Sequence, residues 1–390
     1  MIIQRDIWKE IEPYMDSPES IVVTGMRRTG KTTLLQFIYD GINSPNKLFI
    51  DLENTLNRKY FEEEDYERIR LNFEVLGLDF KKKAYLFLDE IQFVKNVPSV
   101  VKYLYDHYKV KFFLTGSSSF YLRNLFSESL AGRKYIFELF PLNFREFLRL
   151  KGEKINPPLE ASNISESVFK TLDRFYDEFL RFGGFPGVVA KENFQEKRKA
   201  LNGIFSSYFQ LEVVQLGDFR KTSIVRDLIL LLMQRAGSRL DIQKLASELG
   251  VSRPTIYEYL AFLEGTYFIQ LIKPYSKNRD VEIRGSEKVY VCDSGLLNNI
   301  AQASEGALFE NNICQLLRPK GELHYYKKGE NKEVDFIVNR KEAYEVKLRP
   351  SLQDLNYLRN TSEALGIKKY KLISRYYSNV RNILYGFSLG

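Results

Sequence analysis

Residues 20–36, SIVVTGMRRTGKTTLLQ, constrain the fold more than any other stretch of the chain. Ile21-Val22-Val23 is a short β-branched run of the kind expected for a buried parallel strand. Gly25-Met26-Arg27-Arg28-Thr29-Gly30-Lys31-Thr32 fits G-x-x-x-x-G-K-[ST] at every position. Thr33-Leu34-Leu35-Gln36-Phe37-Ile38 continues as a helix with its apolar positions on one face. Strand, glycine loop and helix in that order separate a phosphate-binding loop from a glycine turn before an ordinary helix. Glycines let backbone N–H groups curl around phosphate oxygens, and the helix N-terminus adds a positive dipole. Gly25, Arg28, Thr29, Gly30, Lys31, Thr32 and Thr33 are therefore the expected nucleotide contacts, with ATP and Mg²⁺ as ligands. Lys31 is expected to reach the β- and γ-phosphates and the Thr32 hydroxyl to ligate Mg²⁺.

A second apolar strand, Ala84 to Asp89, follows Lys81-Lys82-Lys83 and ends in the carboxylates of Asp89 and Glu90. That is the arrangement of a Walker B strand, with Asp89 toward the metal. Further short strands are expected at Lys47 to Asp51, Lys111 to Ser118 and Lys134 to Leu139, with helices at Phe61 to Phe73 and Val97 to Tyr108. An amphipathic helix is expected within residues 1–20. Strands alternating with helices predict an α/β fold with a parallel sheet covered on both faces. Ligands then collect at the carboxyl ends of the strands, where Gly25, Asp89 and Ser117 lie.

A chain of 390 residues is too long for one ordinary core. The predicted division is a nucleotide-binding domain over 1–150, a helical region over 151–237, a winged helix over 238–300 and a last α/β domain over 301–390. The helical region begins after the linker Lys151 to Pro158 and is broken at Gly183-Gly184-Phe185-Pro186-Gly187. The winged-helix pattern is a helix from Asp241 to Leu249, a turn at Gly250-Val251, a helix capped by Ser252, and strands at Tyr267 to Ile272 and Lys288 to Cys292. Arg253, Thr255, Tyr257 and Glu258 would face bases, and the charged loop Ser276 to Glu287, with Lys277, Arg279 and Arg284, would be the wing. Net charge of +8 permits an acidic partner. DNA is the expected macromolecular partner; packing on the nucleotide domain or binding a protein is the plainer use of such a unit.

The last segment holds a second constellation. Glu310 sits on a helix from Glu305 to Leu317, Asp335 on a strand from Glu333 to Val338, and Glu345 and Lys347 two residues apart on the neighbouring strand. Carboxylates beside a lysine at adjacent strand ends can hold Mg²⁺ and activate water; a solvated strand face with a salt bridge has the same sequence.

Composition excludes other classes. The start, MIIQRDIWKE, carries charges inside its apolar run, unlike a signal peptide. The most apolar run, Leu228 to Met233, is too short to span a membrane. Cys292 and Cys314 offer neither a disulfide framework nor metal spacing, so a cytoplasmic protein with two buried thiols is expected.

The whole chain resembles a bacterial and archaeal family of ATPases in which an AAA-type core precedes a C-terminal domain of unknown function. The matching segments are GMRRTGKTTLL, FLDEIQ, LTGSSS, AGR at Ala131-Gly132-Arg133, PLNFREF, GGFP, EKVYVCDSGLL, and EVDF followed by EVK. The resemblance implies an AAA-related P-loop NTPase in which Asp89 coordinates Mg²⁺ through water and Glu90 positions the attacking water. It implies a sensor at Ser117 or Ser118 and an arginine acting on the γ-phosphate at Arg133, with Arg123 as a weaker candidate. The C-terminal segment is similar to the PD-(D/E)xK nuclease-like fold, with Glu310, Asp335, Glu345 and Lys347 at matching places. Two activities follow as expectations: a Mg²⁺-dependent ATPase working on DNA, or a slow nucleotide-dependent switch that recruits a protein partner. A second copy of the chain or another protein is the alternative expected partner.

Overall fold

The computed structural model describes residues 3–117, 132–158, 160, 164–217, 219, 221–329 and 332–389. The chain folds into two compact units, Met1–Phe140 with Gly265–Tyr267, and Pro141–Glu264 with Phe268–Gly390. The segments expected as helical region, winged helix and last domain thus belong to one body.

The first unit is built on five strands: β1 (Ser20–Thr24), β2 (Lys47–Asp51), β3 (Ala84–Asp89), β4 (Val110–Gly116) and β5 (Lys134–Glu138), in the order β2-β3-β4-β1-β5. Every pairing is parallel. The strands read as continuous apolar runs because both faces are covered. Val22, Leu86, Leu88, Phe112 and Leu114 face a core that includes Ile69, Phe73, Val101 and Leu104. Ile21, Val23, Phe87 and Phe113 face the other, against Leu34, Leu35 and Ile38 of the Lys31–Gly41 helix. Phe87 and Phe113 stack at 4.4 Å between ring centroids. Truncating either to alanine would cost about 3–5 kcal/mol. The amphipathic N-terminal helix is shorter than expected: Trp8–Ile11 is a single turn followed by a 3-10 turn, Glu12–Tyr14. Pro13 has no N–H to continue an α-helical ladder.

The second unit carries seven strands: β6 (Ile269–Pro274), β7 (Lys288–Val291), β8 (Leu323–Lys328), β9 (Lys332–Val338), β10 (Glu342–Lys347), β11 (Lys369–Ser374) and β12 (Ile383–Tyr385), in the order β12-β11-β10-β9-β8-β6-β7. The β6–β7 hairpin is antiparallel, and β6 also pairs parallel with β8, so the hairpin continues the C-terminal sheet. Helices Ile242–Leu249 and Arg253–Gly265 flank Gly250, whose φ of +63° ends the first of them. The GGFP and CDSGLL segments meet at Asp293. Its buried carboxylate accepts the Gly184 N–H at 2.7 Å and the Leu296 N–H at 3.0 Å, capping the Ser294–Ala301 helix. Gly183, at φ +74°, has no room for a side chain, because a Cβ there would lie 2.0 Å from an Asp293 carboxylate oxygen.

Candidate nucleotide site and C-terminal acidic cluster

The loop after β1 is shaped by its glycines. Gly25 has φ +150°, and a Cβ on it would sit 2.2 Å from the Leu139 carbonyl oxygen. Gly30, at φ +99°, turns the chain into the Lys31–Gly41 helix. Thr29 is buried and donates its hydroxyl to the Met26 carbonyl at 2.9 Å. Arg5 clasps the loop from outside, donating to the carbonyls of Thr29 and Phe140, each at 2.8 Å. Sequence reasoning missed Arg5: a lone arginine some way upstream of a glycine loop carries no local signal. Arg28 is exposed at φ +68°, and it is Arg27 that is buried.

Lys31 is 3% exposed; its Nζ donates to the carbonyls of Gly25 at 3.0 Å and Met26 at 3.2 Å and lies 3.7 Å from Glu90. The Thr32 hydroxyl donates to Asp89 at 2.7 Å. Thr33 is exposed on the same helix. Thr115, at the end of β4, ties the two acids together: its hydroxyl donates to Asp89 and accepts the Glu90 N–H at 3.0 Å. Gln92 donates to Glu90 and, at 2.9 Å, to the Ser117 hydroxyl, so Ser117 reaches Glu90 through Gln92. Arg27 lies 3.9 Å from Glu90 and 3.8 Å from Glu53, its guanidinium over the Phe93 ring. Glu90 itself sits in the left-handed region at φ +55°, a strained setting that aims its side chain off the strand end.

The two carboxylates differ in environment. Burial pushes the Asp89 carboxyl above the usual range, with hydrogen bonds from Thr115 and Thr32 pulling the other way. For Glu90 burial acts in the same raising sense, but Lys31 and Arg27 outweigh it and hold the group below the usual range, ionised. A hydroxyl and a carboxylate side by side are hard oxygen donors suited to Mg²⁺. The glycine cradle and the buried ammonium suit phosphate. The residues present therefore fit Mg²⁺ and a nucleoside triphosphate.

Arg133 lies away from the glycine loop of its own chain. Its carbonyl accepts the Ser20 N–H at 2.9 Å, at the start of β1, and its guanidinium pairs with Asp106 at 3.1 Å. Parallel strands share one direction, so a residue just before β5 lies at the amino end of the sheet, whereas the glycine loop follows the carboxyl end of β1. Within one chain Arg133 does not reach the site. Ser118, Arg123 and Ala131 lie outside the described residues.

In the second unit, Glu310, Asp335 and Glu345 do converge. Asp335 accepts the Val346 N–H of the neighbouring strand at 2.8 Å. Glu345 accepts from Lys347 at 2.7 Å. Glu310 accepts the Tyr290 hydroxyl at 2.7 Å. Burial, then Glu345 and Glu310, push the Asp335 carboxyl well above the usual range; burial also raises Glu345, against the pull of Lys347. Among the described residues no group of three His, Cys, Asp or Glu side chains is arranged to hold an ion. Lys288, the first residue of β7, which the sequence reading did not single out, stands in this cluster. Its Nζ lies 2.6 Å from Glu333, 3.3 Å from Glu310 and 3.8 Å from Asp335.

The expected wing is also altered. Its centre is a short helix, Arg279–Arg284, and Glu282 on it is buried against His324 at 2.9 Å and against Arg340. Lys277, Arg279 and Arg284 remain exposed, as do Arg253, Tyr257 and Glu258; Thr255 is half-buried. Cys292 and Cys314 are free buried thiols. No helix among the described residues is long and apolar enough to cross a membrane.

Residues 17–148 match the family model of an AAA domain, and residues 173–306 match a domain of unknown function, DUF8612. An uncharacterized protein of Methanocaldococcus jannaschii is 30% identical over 349 residues, which are 86% of this chain and 75% of that one. An uncharacterized protein of Haemophilus influenzae is 27% identical over 355 residues, 87% of this chain and 84% of that one. Among solved structures, the Aeropyrum pernix ORC1 protein in complex with DNA has 13% identity and a TM-score of 0.35, covering 77% of this chain and 93% of that one. The ADP form of Aeropyrum pernix ORC2 has 13% identity and a TM-score of 0.36, covering 75% and 90%.

Proposed function

The chain belongs to the same family as the Methanocaldococcus jannaschii protein, and on that premise we propose that it is a Mg²⁺-dependent ATPase that acts on DNA through its second unit. The observation that carries the reading is the constellation of Lys31, Thr32, Asp89, Thr115 and Glu90 at the carboxyl ends of β1, β3 and β4. Backbone N–H groups of residues 25–30 and of the helix N-terminus donate to the phosphate oxygens, and the Lys31 ammonium neutralises the β- and γ-oxygens. Thr32 and Asp89 would hold Mg²⁺, which supplies further neutralisation of charge on those oxygens. Glu90, kept ionised by Lys31 and Arg27, orients and polarises the attacking water. Gln92, hydrogen-bonded to both Glu90 and Ser117, fixes the direction of that carboxylate and links it to the end of β4, the sensor position.

The DNA reading rests on the helix pair and hairpin at 242–291, which has the order of a winged helix. The exposed Arg253 and Tyr257 at the start of the second helix, with Lys277, Arg279 and Arg284 on the hairpin connection, give it a basic face. The C-terminal part of the sheet, of PD-(D/E)xK-like order, serves as a fold for binding rather than cutting. A second reading, a slow nucleotide-dependent switch recruiting a protein partner, is favoured by Glu282, whose burial against His324 holds the hairpin connection on its own sheet. Phosphate release measured with and without duplex DNA separates them. Stimulation by DNA supports the first; slow turnover indifferent to DNA supports the second.

A further inference from the structure

The divalent cation implied by the nuclease-like resemblance does not fit the acidic cluster, and the reason is a charge already in it. Lys288 is 4% exposed, and its ammonium stands among Glu333, Glu310 and Asp335 at 2.6, 3.3 and 3.8 Å. Several oxygens of the cluster are engaged by the protein itself. Tyr290 donates to Glu310, the Val346 N–H to Asp335, Lys347 to Glu345 and Lys327 to Glu333. We propose that Lys288 permanently occupies the cation position of this cluster, so that the second unit is a metal-free binding module in which a nuclease-type site has been neutralised from within.

Charge balance supports this. Four carboxylates, Glu310, Glu333, Asp335 and Glu345, meet three ammonium groups, Lys288, Lys327 and Lys347, leaving one negative charge. The Glu345 Oε2 atom is buried with no hydrogen-bond partner among the described residues. Burial pushes both Asp335 and Glu345 above the usual carboxylate range. A divalent ion would have to approach these oxygens to about 2.0–2.6 Å. It would meet a buried ammonium held by three carboxylates. Lys288 comes from the hairpin strand β7, whereas Asp335 and Glu345 come from the C-terminal strands β9 and β10. The ion cluster therefore also fastens the hairpin to the sheet.

The test is a Mn²⁺ titration of the full chain without nucleotide, followed by electron paramagnetic resonance, and does not pass through ATP turnover. Wild type and Asp335→Asn are expected to bind the same amount of Mn²⁺. Lys288→Met is expected to gain one Mn²⁺ equivalent, which Lys288→Met/Asp335→Asn loses. A wild-type Mn²⁺ equivalent that Asp335→Asn removes would overturn the proposal. So would a folded Lys288→Met that gains none. Should Lys288→Met fail to fold, the comparison of wild type with Asp335→Asn still decides.

Discussion

Thr32 and Asp89 are joined by a 2.7 Å hydrogen bond, hydroxyl to carboxylate, across 57 residues of sequence. The bond brings the first residues of the helix after β1 against the last residue of β3, and so sets two oxygen donors side by side. Beside them the Lys31 ammonium lies 3.7 Å from Glu90. Lys31→Ala removes the only buried ammonium described at this loop. Nucleotide affinity, measured by calorimetry or with a fluorescent analogue, is expected to fall at least about 10-fold, which corresponds to about 1.4 kcal/mol. Unchanged affinity would mean that the phosphates lie elsewhere.

Arg133 provides a contrary case. Its guanidinium is committed to Asp106 at the amino end of the sheet. Arg133→Ala is expected to leave kcat and KM within about twofold of wild type in dilute, monomeric protein. A loss confined to kcat, growing with protein concentration, would mean that the residue acts on the site of a second copy.

The nucleotide loop was legible in the sequence because its geometry is local: Gly25, Gly30, Lys31 and Thr32 are fixed by contiguous backbone. Asp89 and Glu90 were legible because a carboxylate pair closing an apolar strand has few other uses. Thr115, Arg5 and Lys288 were not, because each acts across the topology and nothing in its immediate neighbours marks it. Thr115 is 26 residues from the Asp89 it holds. That Arg133 lies away from the site of its own chain was available from strand direction, since a residue preceding a parallel strand must lie opposite the loop that follows one. The hairpin helix Arg279–Arg284 was hidden by its charges, which read as a solvated loop until Glu282 found His324 and Arg340.

Asp293 sets a pH dependence on stability. Burial raises its carboxyl from the ordinary 3.8 to about 6, against hydrogen bonds from the N–H groups of Gly184, Leu296 and Gly295. The folded state therefore holds the proton more tightly than the unfolded one. The stability this group contributes is complete below about pH 4 and is lost as pH rises through about 6, an interval worth roughly 3 kcal/mol. Asp293→Asn keeps an acceptor without the titration. Chemical denaturation at pH 4.5 and pH 6.5 should show wild type losing more stability with rising pH than the variant. Equal losses would mean that Asp293 does not titrate in this range.

DNA binding by the second unit should be mainly electrostatic, with affinity falling by roughly one logarithmic unit of salt slope per phosphate contact. Neutralising Arg253, Lys277 and Arg279 together, all exposed, should weaken binding and lower that slope by up to about 3. Fluorescence anisotropy with labelled duplex over a salt series measures both. No binding at low salt to single- or double-stranded DNA would favour a protein partner.

The most direct test of the account is phosphate release by Glu90→Gln beside wild type, with ATP affinity measured on the same samples. The amide keeps the size of the side chain and the contact with Gln92, but it loses the charge that Lys31 and Arg27 hold in place. ATP should bind Glu90→Gln within a few-fold of wild type while turnover falls by about 10²–10⁴. Wild-type turnover in Glu90→Gln would contradict the assignment of Glu90 as the residue that activates water, and with it the proposed hydrolytic mechanism.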